Sequence, residues 1–298
     1  MRKARIITHN GHFHADDVFA TALLAILHDE KKMPYDIIRS RDRNLWLTGD
    51  FVVDVGDVYD ALANRFDHHQ KGGAGVRENG VPYSSLGLVW KKFGAEFTGL
   101  QHASEYIDKK LVEYIDAMDN GMEIIRAKFD GVNIYAIGEV IESFSLGWDE
   151  DSSFDDAFIE AVDVAKKILL RERSRALSAC SAEEQIRHLY DTAPDKRFIV
   201  LDRYYGSSGD ILRAYPEPLF VIYPEKVNGT WHVKAVRTGN ALFTNRKDLP
   251  KAWAGKRDRE LAAESGVQDA LFCHNNLFLA VAKSKEGAIA LAEKAVIN

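Results

Sequence analysis

Short apolar runs alternate with segments of helical apolar spacing through the first half of the chain. Ile6-Ile7-Thr8 predicts a buried strand, and Val18, Leu23, Leu24 and Leu27 predict a helix over residues 17–28. Residues 36–38 and 51–55 predict further strands, the second ending at Gly56. Strand alternating with helix predicts the α/β class, with a doubly wound, mainly parallel sheet. Ser84-Ser85 reads as the cap of a helix carrying Leu86, Leu88, Val89 and Trp90, and another helix is expected over residues 103–118, stopped by Asn120-Gly121. The longest helical stretch runs from Phe154 to about Leu189.

Past Ala193-Pro194 strand-like runs dominate, at residues 198–201, 219–223, 231–236 and 277–282. Asn228-Gly229 supplies a hairpin turn between the second and third of these, and residues 286–296 predict a closing helix. Two domains are therefore expected: residues 1–190, which include the long connecting helix, and a smaller α+β domain over residues 195–298.

Composition narrows the classes. Hydrophobic residues make up 46% and charged residues 28%, as in a globular protein. No apolar run is long enough to span a bilayer, and the basic opening leads straight into a strand pattern rather than a signal peptide. With only Cys180 and Cys273, a disulfide framework and a thiolate zinc site are excluded. A reducing compartment, the cytoplasm, is the expected location. Net charge is −6, which argues against indiscriminate binding of long nucleic acid. Residues 226–259 nevertheless carry nine Lys or Arg against two Asp. That stretch is either a solvated charged face or a surface for a short anionic substrate.

Six of the ten histidines precede residue 70, and five of these fall in two clusters. The first, His9-Asn10-Gly11-His12-Phe13-His14-Ala15-Asp16-Asp17, lies between a predicted strand and a predicted helix, where open parallel sheets bind ligands. Imidazole and carboxylate together suit Mn²⁺, Fe²⁺, Co²⁺ or Zn²⁺. The second cluster is Asp67-His68-His69. Asp54, at the end of an apolar strand, is either a turn cap or a ligand; beside two His/Asp clusters the ligand reading carries more weight. Asp116-Ala117-Met118-Asp119 sits at a predicted helix end, where carboxylates oppose the helix dipole unless a cation is near.

In that order these segments resemble the motifs of the DHH phosphoesterase superfamily, and most closely the melanocyte-proliferating-gene family of metal-dependent hydrolases and 3′–5′ RNA exonucleases. Ser84-Ser85-Leu86-Gly87, Leu249-Pro250 to Trp253, Phe272-Cys273-His274 and Glu286-Gly287-Ala288 extend the likeness over nearly the whole chain. The resemblance implies two divalent ions, Mn²⁺ first, with Co²⁺, Mg²⁺ and Zn²⁺ as alternatives. His9, His14, Asp16, Asp54, His68 and Asp119 are the implied ligands, with Asp116 or Asp119 left open as the last. Asp67 and His69 are implied in catalysis, and Arg237 and His274 in substrate binding, although Arg237 also reads as a partner for a surface acid.

The implied substrate is short single-stranded nucleic acid, RNA favoured; the alternatives are nucleotide or pyrophosphate hydrolysis, or metal or nucleic-acid binding without turnover. A homodimer is left open. Two departures stand out. The superfamily's first motif commonly has His followed by Asp four and six residues on, whereas this chain has His9, His14 and Asp16. The second domain lacks the glycine-rich His motif of many members.

Overall fold

The computed structural model describes residues 2–239 and 244–298, which separate into two compact units, residues 1–177 and 178–298. In the first, β1 (Ala4–Thr8), α1 (Ala15–Glu30), β2 (Tyr35–Arg39), the single-turn α2 (Arg43–Trp46) and β3 (Phe51–Val53) follow one another. Two very short strands, β4 (Tyr59–Asp60) and β5 (Arg65–Phe66), complete a sheet of order β2-β1-β3-β5-β4. β2, β1, β3 and β5 run parallel and only β4 is antiparallel, the mainly parallel α/β sheet that the alternation predicts.

Helices α3 (Ser85–Thr98), α4 (Gln101–Ile107), α5 (Glu113–Asp119) and α6 (Ile137–Glu142) follow. The single helix expected over 103–118 is interrupted by a π-helical turn at Asp108–Val112, between α4 and α5. α1 is buried from Asp16 through His28, because it packs on α3, α5 and α6 as well as on the strands. Its apolar residues therefore face several neighbours rather than one. α7 (Phe154–Thr192) is the long expected helix, and the division between the units falls within it.

The second unit contains β6 (Phe198–Val200), α8 (Ser208–Leu212), β7 (Phe220–Pro224), β8 (Trp231–Ala235), α9 (Asp258–Ser265), β9 (Ala270–Cys273), β10 (Leu279–Ala282) and α10 (Lys285–Ile297). Its sheet has the order β6-β7-β8-β10-β9, with only β6 and β7 parallel. The β7–β8 connection turns at Asn228-Gly229 as the sequence predicts, Gly229 taking φ +66°. The predicted strand at 277–282 begins later, at Leu279, because Leu277 adopts φ +59°. No described helix is long and apolar enough to cross a membrane.

Candidate metal centre

Three parallel strands end on the same edge of the first sheet, and each is followed at once by a candidate ligand. His9 follows β1, Asp54 follows β3, and Asp67-His68-His69 follow β5. This is the carboxyl edge where open α/β sheets bind their ligands. The N-terminal turn of α1 adds His14 and Asp16, and the last turn of α5 adds Asp119. All eight expected first-domain residues thus converge within one unit.

His68 Nε2 lies 3.2 Å from Asp119, 3.3 Å from Asp54 and 3.9 Å from Asp16. His9 Nε2 is 3.2 Å from Asp17 and 3.3 Å from the other oxygen of Asp54. Two sets have ligand atoms close enough to share an ion: His14 with Asp16 and Asp119, and Asp54 with His68 and His69. Asp54 takes φ +56°, a strained conformation for a non-glycine residue that turns its carboxylate into the cluster.

So many buried carboxylates require positive charge. Burial, with the charges of Asp54, Asp119 and Asp17, holds the Asp16 carboxyl well above the usual carboxylate range. Burial also raises Asp119, against the opposing influence of His68. Burial acts on Asp54 too, yet hydrogen bonds from His68 and His9 outweigh it and hold that carboxyl below the usual range. The imidazoles answer in kind. Burial opposes the charge on His9, but Asp17 and Asp54 push it up to about 10. Burial likewise opposes charge on His68, which Asp54 and Asp119 raise.

The donor set fits a cation. Oδ1 of fully buried Asp16 has no hydrogen-bond partner among the described residues, an arrangement that is costly for a carboxylate unless an ion completes it. Imidazole and carboxylate donors match borderline transition metals.

Asp116 and Asp119 are separated by environment. Asp116 is fully buried and accepts hydrogen bonds from Ser84 N and Oγ, Gly87 N, and Arg77 Nε and Nη2. Its acceptor capacity is taken up in joining α3 to α5. A side chain on Gly87 would place Cβ 2.2 Å from Asp116 Oδ2, so only glycine allows this approach. Asp119 is the one that faces His68.

Other residues prove to matter locally. Ser84 was expected as a helix cap, but its side chain makes no cap bond and serves Asp116 instead. Ser85 Oγ donates to Asp54 at 2.8 Å and its N–H donates to Asp16 at 3.3 Å, so the α3 N-terminus orients two candidate ligands. The Ser-Ser pair was the available signal; only Arg77 had none. Asp17 accepts from the His14 backbone at 2.9 Å, which fixes the first turn of α1. His12 is exposed against Phe154, outside both ligand sets.

Asp67 Oδ1 accepts from the His69 backbone at 3.0 Å and lies 2.8 Å from His69 Nδ1. That contact pushes His69, whose side chain is more than half exposed, up to about 9. In the second unit Arg237 and Lys234 line a cavity of ≈190 Å³ beside Arg213 and Tyr204. His274 follows β9, accepts from Asn276 N at 3.0 Å, and has its ring 4.4 Å from that of Phe278.

An open parallel sheet thus gathers at its carboxyl edge groups that could hold metal ions. The chain belongs to the MYG1 exonuclease family, described as uncharacterised protein family UPF0160, whose profile matches residues 5–296. It is 30% identical to the MYG1 protein of Caenorhabditis elegans, over 97% of this chain and 94% of that one. It is 29% identical to the human MYG1 exonuclease, over 98% and 85%. The crystal structure of exonuclease RecJ bound to manganese aligns with 98% of this chain and 89% of its own at 16% identity, with a TM-score of 0.26, too weak a likeness to support an argument about the site.

Proposed function

We propose that the chain is a divalent-metal-dependent phosphodiesterase that shortens single-stranded nucleic acid, RNA in preference to DNA, from the 3′ end. The observation that carries the reading is the convergence of His9, His14, Asp16, Asp54, His68 and Asp119, with an orphaned carboxylate oxygen among them. Exonuclease names among its relatives support the substrate class.

Two divalent ions held by these six residues would supply Lewis acidity for water activation and for the charge that develops on phosphorus. The remaining work falls to the chain's own groups. Asp54 contacts imidazoles of both clusters, so it fixes His9 relative to His68. Asp67 holds Nδ1 of His69 and leaves Nε2 for the substrate. The contact with Asp67 favours the protonated imidazole of His69, and in this role it donates that proton to the departing oxygen. Arg237 and Lys234 supply phosphate contacts in the second unit, and His274 a further donor.

The pH dependence follows from the His69–Asp67 contact. An imidazolium acting as acid gives a rate that declines as pH rises through its pKa. Asp67→Asn removes the carboxylate that raises His69, so the alkaline limb of the pH–rate profile is expected to move to lower pH. A full profile of kcat/KM for both proteins checks this; an unmoved limb assigns the acid elsewhere.

A substrate panel tests the function itself: pyrophosphate, nucleoside diphosphate, a 5′-labelled RNA and the matching DNA, each with Mn²⁺. Stepwise shortening of the labelled RNA, faster than of DNA, is expected. Cleavage of pyrophosphate alone would replace this reading with nucleotide or pyrophosphate hydrolysis.

A further inference from the structure

Arg77 lies in the loop between Asp67-His68-His69 and α3, yet its side chain is only 9% exposed. Nη1 donates to Asp108 Oδ2 at 2.7 Å and Nη2 to Asp108 Oδ1 at 2.8 Å. Nε and Nη2 also donate to Asp116 Oδ2, at 3.0 and 2.7 Å. The guanidinium carbon stands 4.8 Å from the centre of the Tyr83 ring. Two carboxylates thus hold one planar fork, an arrangement that a lysine ammonium cannot reproduce.

Asp108 and Asp116 are eight residues apart. In an uninterrupted α-helix that separation would turn them about 80° from one another. Asp108 opens the π-helical turn Asp108–Val112, and a π turn takes up one residue more than an α turn. The pair then stands like residues seven apart, about 20° out of line, and both carboxylates reach the same guanidinium. The break in the helix is what lets the fork be gripped twice.

Asp116 passes this hold on in two directions. Its Oδ1 accepts from Ser84 N and Oγ and from Gly87 N, which fixes the first turn of α3. The next residue there, Ser85, donates to Asp54 and Asp16. In the other direction Asp119 follows Asp116 within α5 and lies 3.2 Å from His68 Nε2. We propose that Arg77 is a positioning residue of the metal centre. By clamping Asp108 and Asp116 it holds the N-terminus of α3 and the last turn of α5 where Asp16 and Asp119 can share an ion with His14. It acts through Asp116 rather than on the ion, and the inference rests on the metal-dependent reading above.

Calorimetric titration of the folded full chain with Mn²⁺ is the test, with hydrolysis of labelled RNA followed at each Mn²⁺ concentration. Arg77→Lys keeps the charge and loses the fork. It is expected to weaken binding of one of the two ions on the order of 10-fold, the scale of effect found for residues that orient metal ligands. Asp108→Asn, at a partly exposed position and so the milder change for folding, should weaken it less. The Mn²⁺ concentration for half activity should rise by the same factor in each variant, while KM for RNA stays at the native value. Arg173→Lys is the control. Arg173 makes a comparable contact at the far end of α3, donating to the Phe97 carbonyl at 3.0 Å and to Glu30 at 2.6 Å, and its loss should leave the Mn²⁺ isotherm unmoved. Isotherms unmoved in both Arg77→Lys and Asp108→Asn, or an equal weakening in Arg173→Lys, would overturn the proposal and leave Arg77 a tie for the fold alone. Weakened Mn²⁺ binding in the variants of a chain that hydrolyses no RNA would sink the nuclease reading and leave the clamp standing. RNA hydrolysis by the native chain with unmoved variant isotherms would do the reverse.

Discussion

Asp54→Asn is expected to remove hydrolysis by on the order of 10³-fold or more while leaving the fold intact. Both halves of that expectation have a structural reason. Asparagine is among the few residues that tolerate the left-handed backbone Asp54 adopts, and its amide oxygen can still accept from Ser85 Oγ. What it lacks is the negative charge facing His9, His68 and His69 together. Circular dichroism should therefore match the native chain and melting should fall, because the ionised Asp54 held by His9 and His68 stabilises the fold at neutral pH, while turnover on labelled RNA vanishes. Retained turnover with a normal fold would show that Asp54 is only a turn residue, the alternative its sequence position left open.

The second large effect is on stability, and its sign is the less obvious part. Asp16→Asn should raise the melting temperature of the metal-free protein. Asp16 is fully buried and its carboxyl is held well above the usual range, so near neutral pH the ionised form opposes folding. For a carboxyl raised in the folded state, stability increases as pH falls through the folded-state pKa and levels off below the unfolded value. The asparagine variant lacks this pH-dependent component. Its amide can donate to a neighbouring carboxylate and still accept from the Ser85 N–H. A gain of about 1–2 kcal/mol, roughly 2–8 °C, is expected without metal. Added Mn²⁺ should reverse the order, because ions that bind only the folded native chain stabilise it by mass action. Scanning calorimetry of both proteins, with chelator and with Mn²⁺, reads both signs. A variant less stable than the native chain in chelator would mean that Asp16 is a structural acceptor rather than a ligand held ready.

The parts of this arrangement legible in the sequence are those with local causes. β1 and β3 announce themselves through consecutive β-branched residues, and the His/Asp clusters declare a site because so many ligand types in so few positions have no packing purpose. β5 has two residues, Arg65 and Phe66, and no pattern that short is visible in a sequence. Yet its pairing with β3 is what brings Asp67-His68-His69 to the edge shared with Asp54. The choice between Asp116 and Asp119 was likewise not local. Both stand in the same short helix, and Arg77 and Ser84, more than thirty residues away, occupy the first, while the second faces His68. The π-helical turn at Asp108–Val112 has no signature within a sequence that reads as continuous helix. α6 was invisible for a different reason. Residues 121–136, which precede it, have mostly irregular backbone and no apolar period to read.

The account stands or falls on whether the converging carboxylates and imidazoles hold functional cations. The direct measurement is to strip the chain with chelator, return Mn²⁺ stepwise, and record bound metal by inductively coupled plasma mass spectrometry alongside hydrolysis of a labelled single-stranded RNA. Two ions per chain are expected, with activity rising as they fill and with Mn²⁺ or Co²⁺ more effective than Mg²⁺, because imidazole ligands suit borderline metals better than a hard ion that keeps its waters. Undiminished hydrolysis by the stripped chain in excess chelator, or activity that appears while no ion is retained, would contradict it.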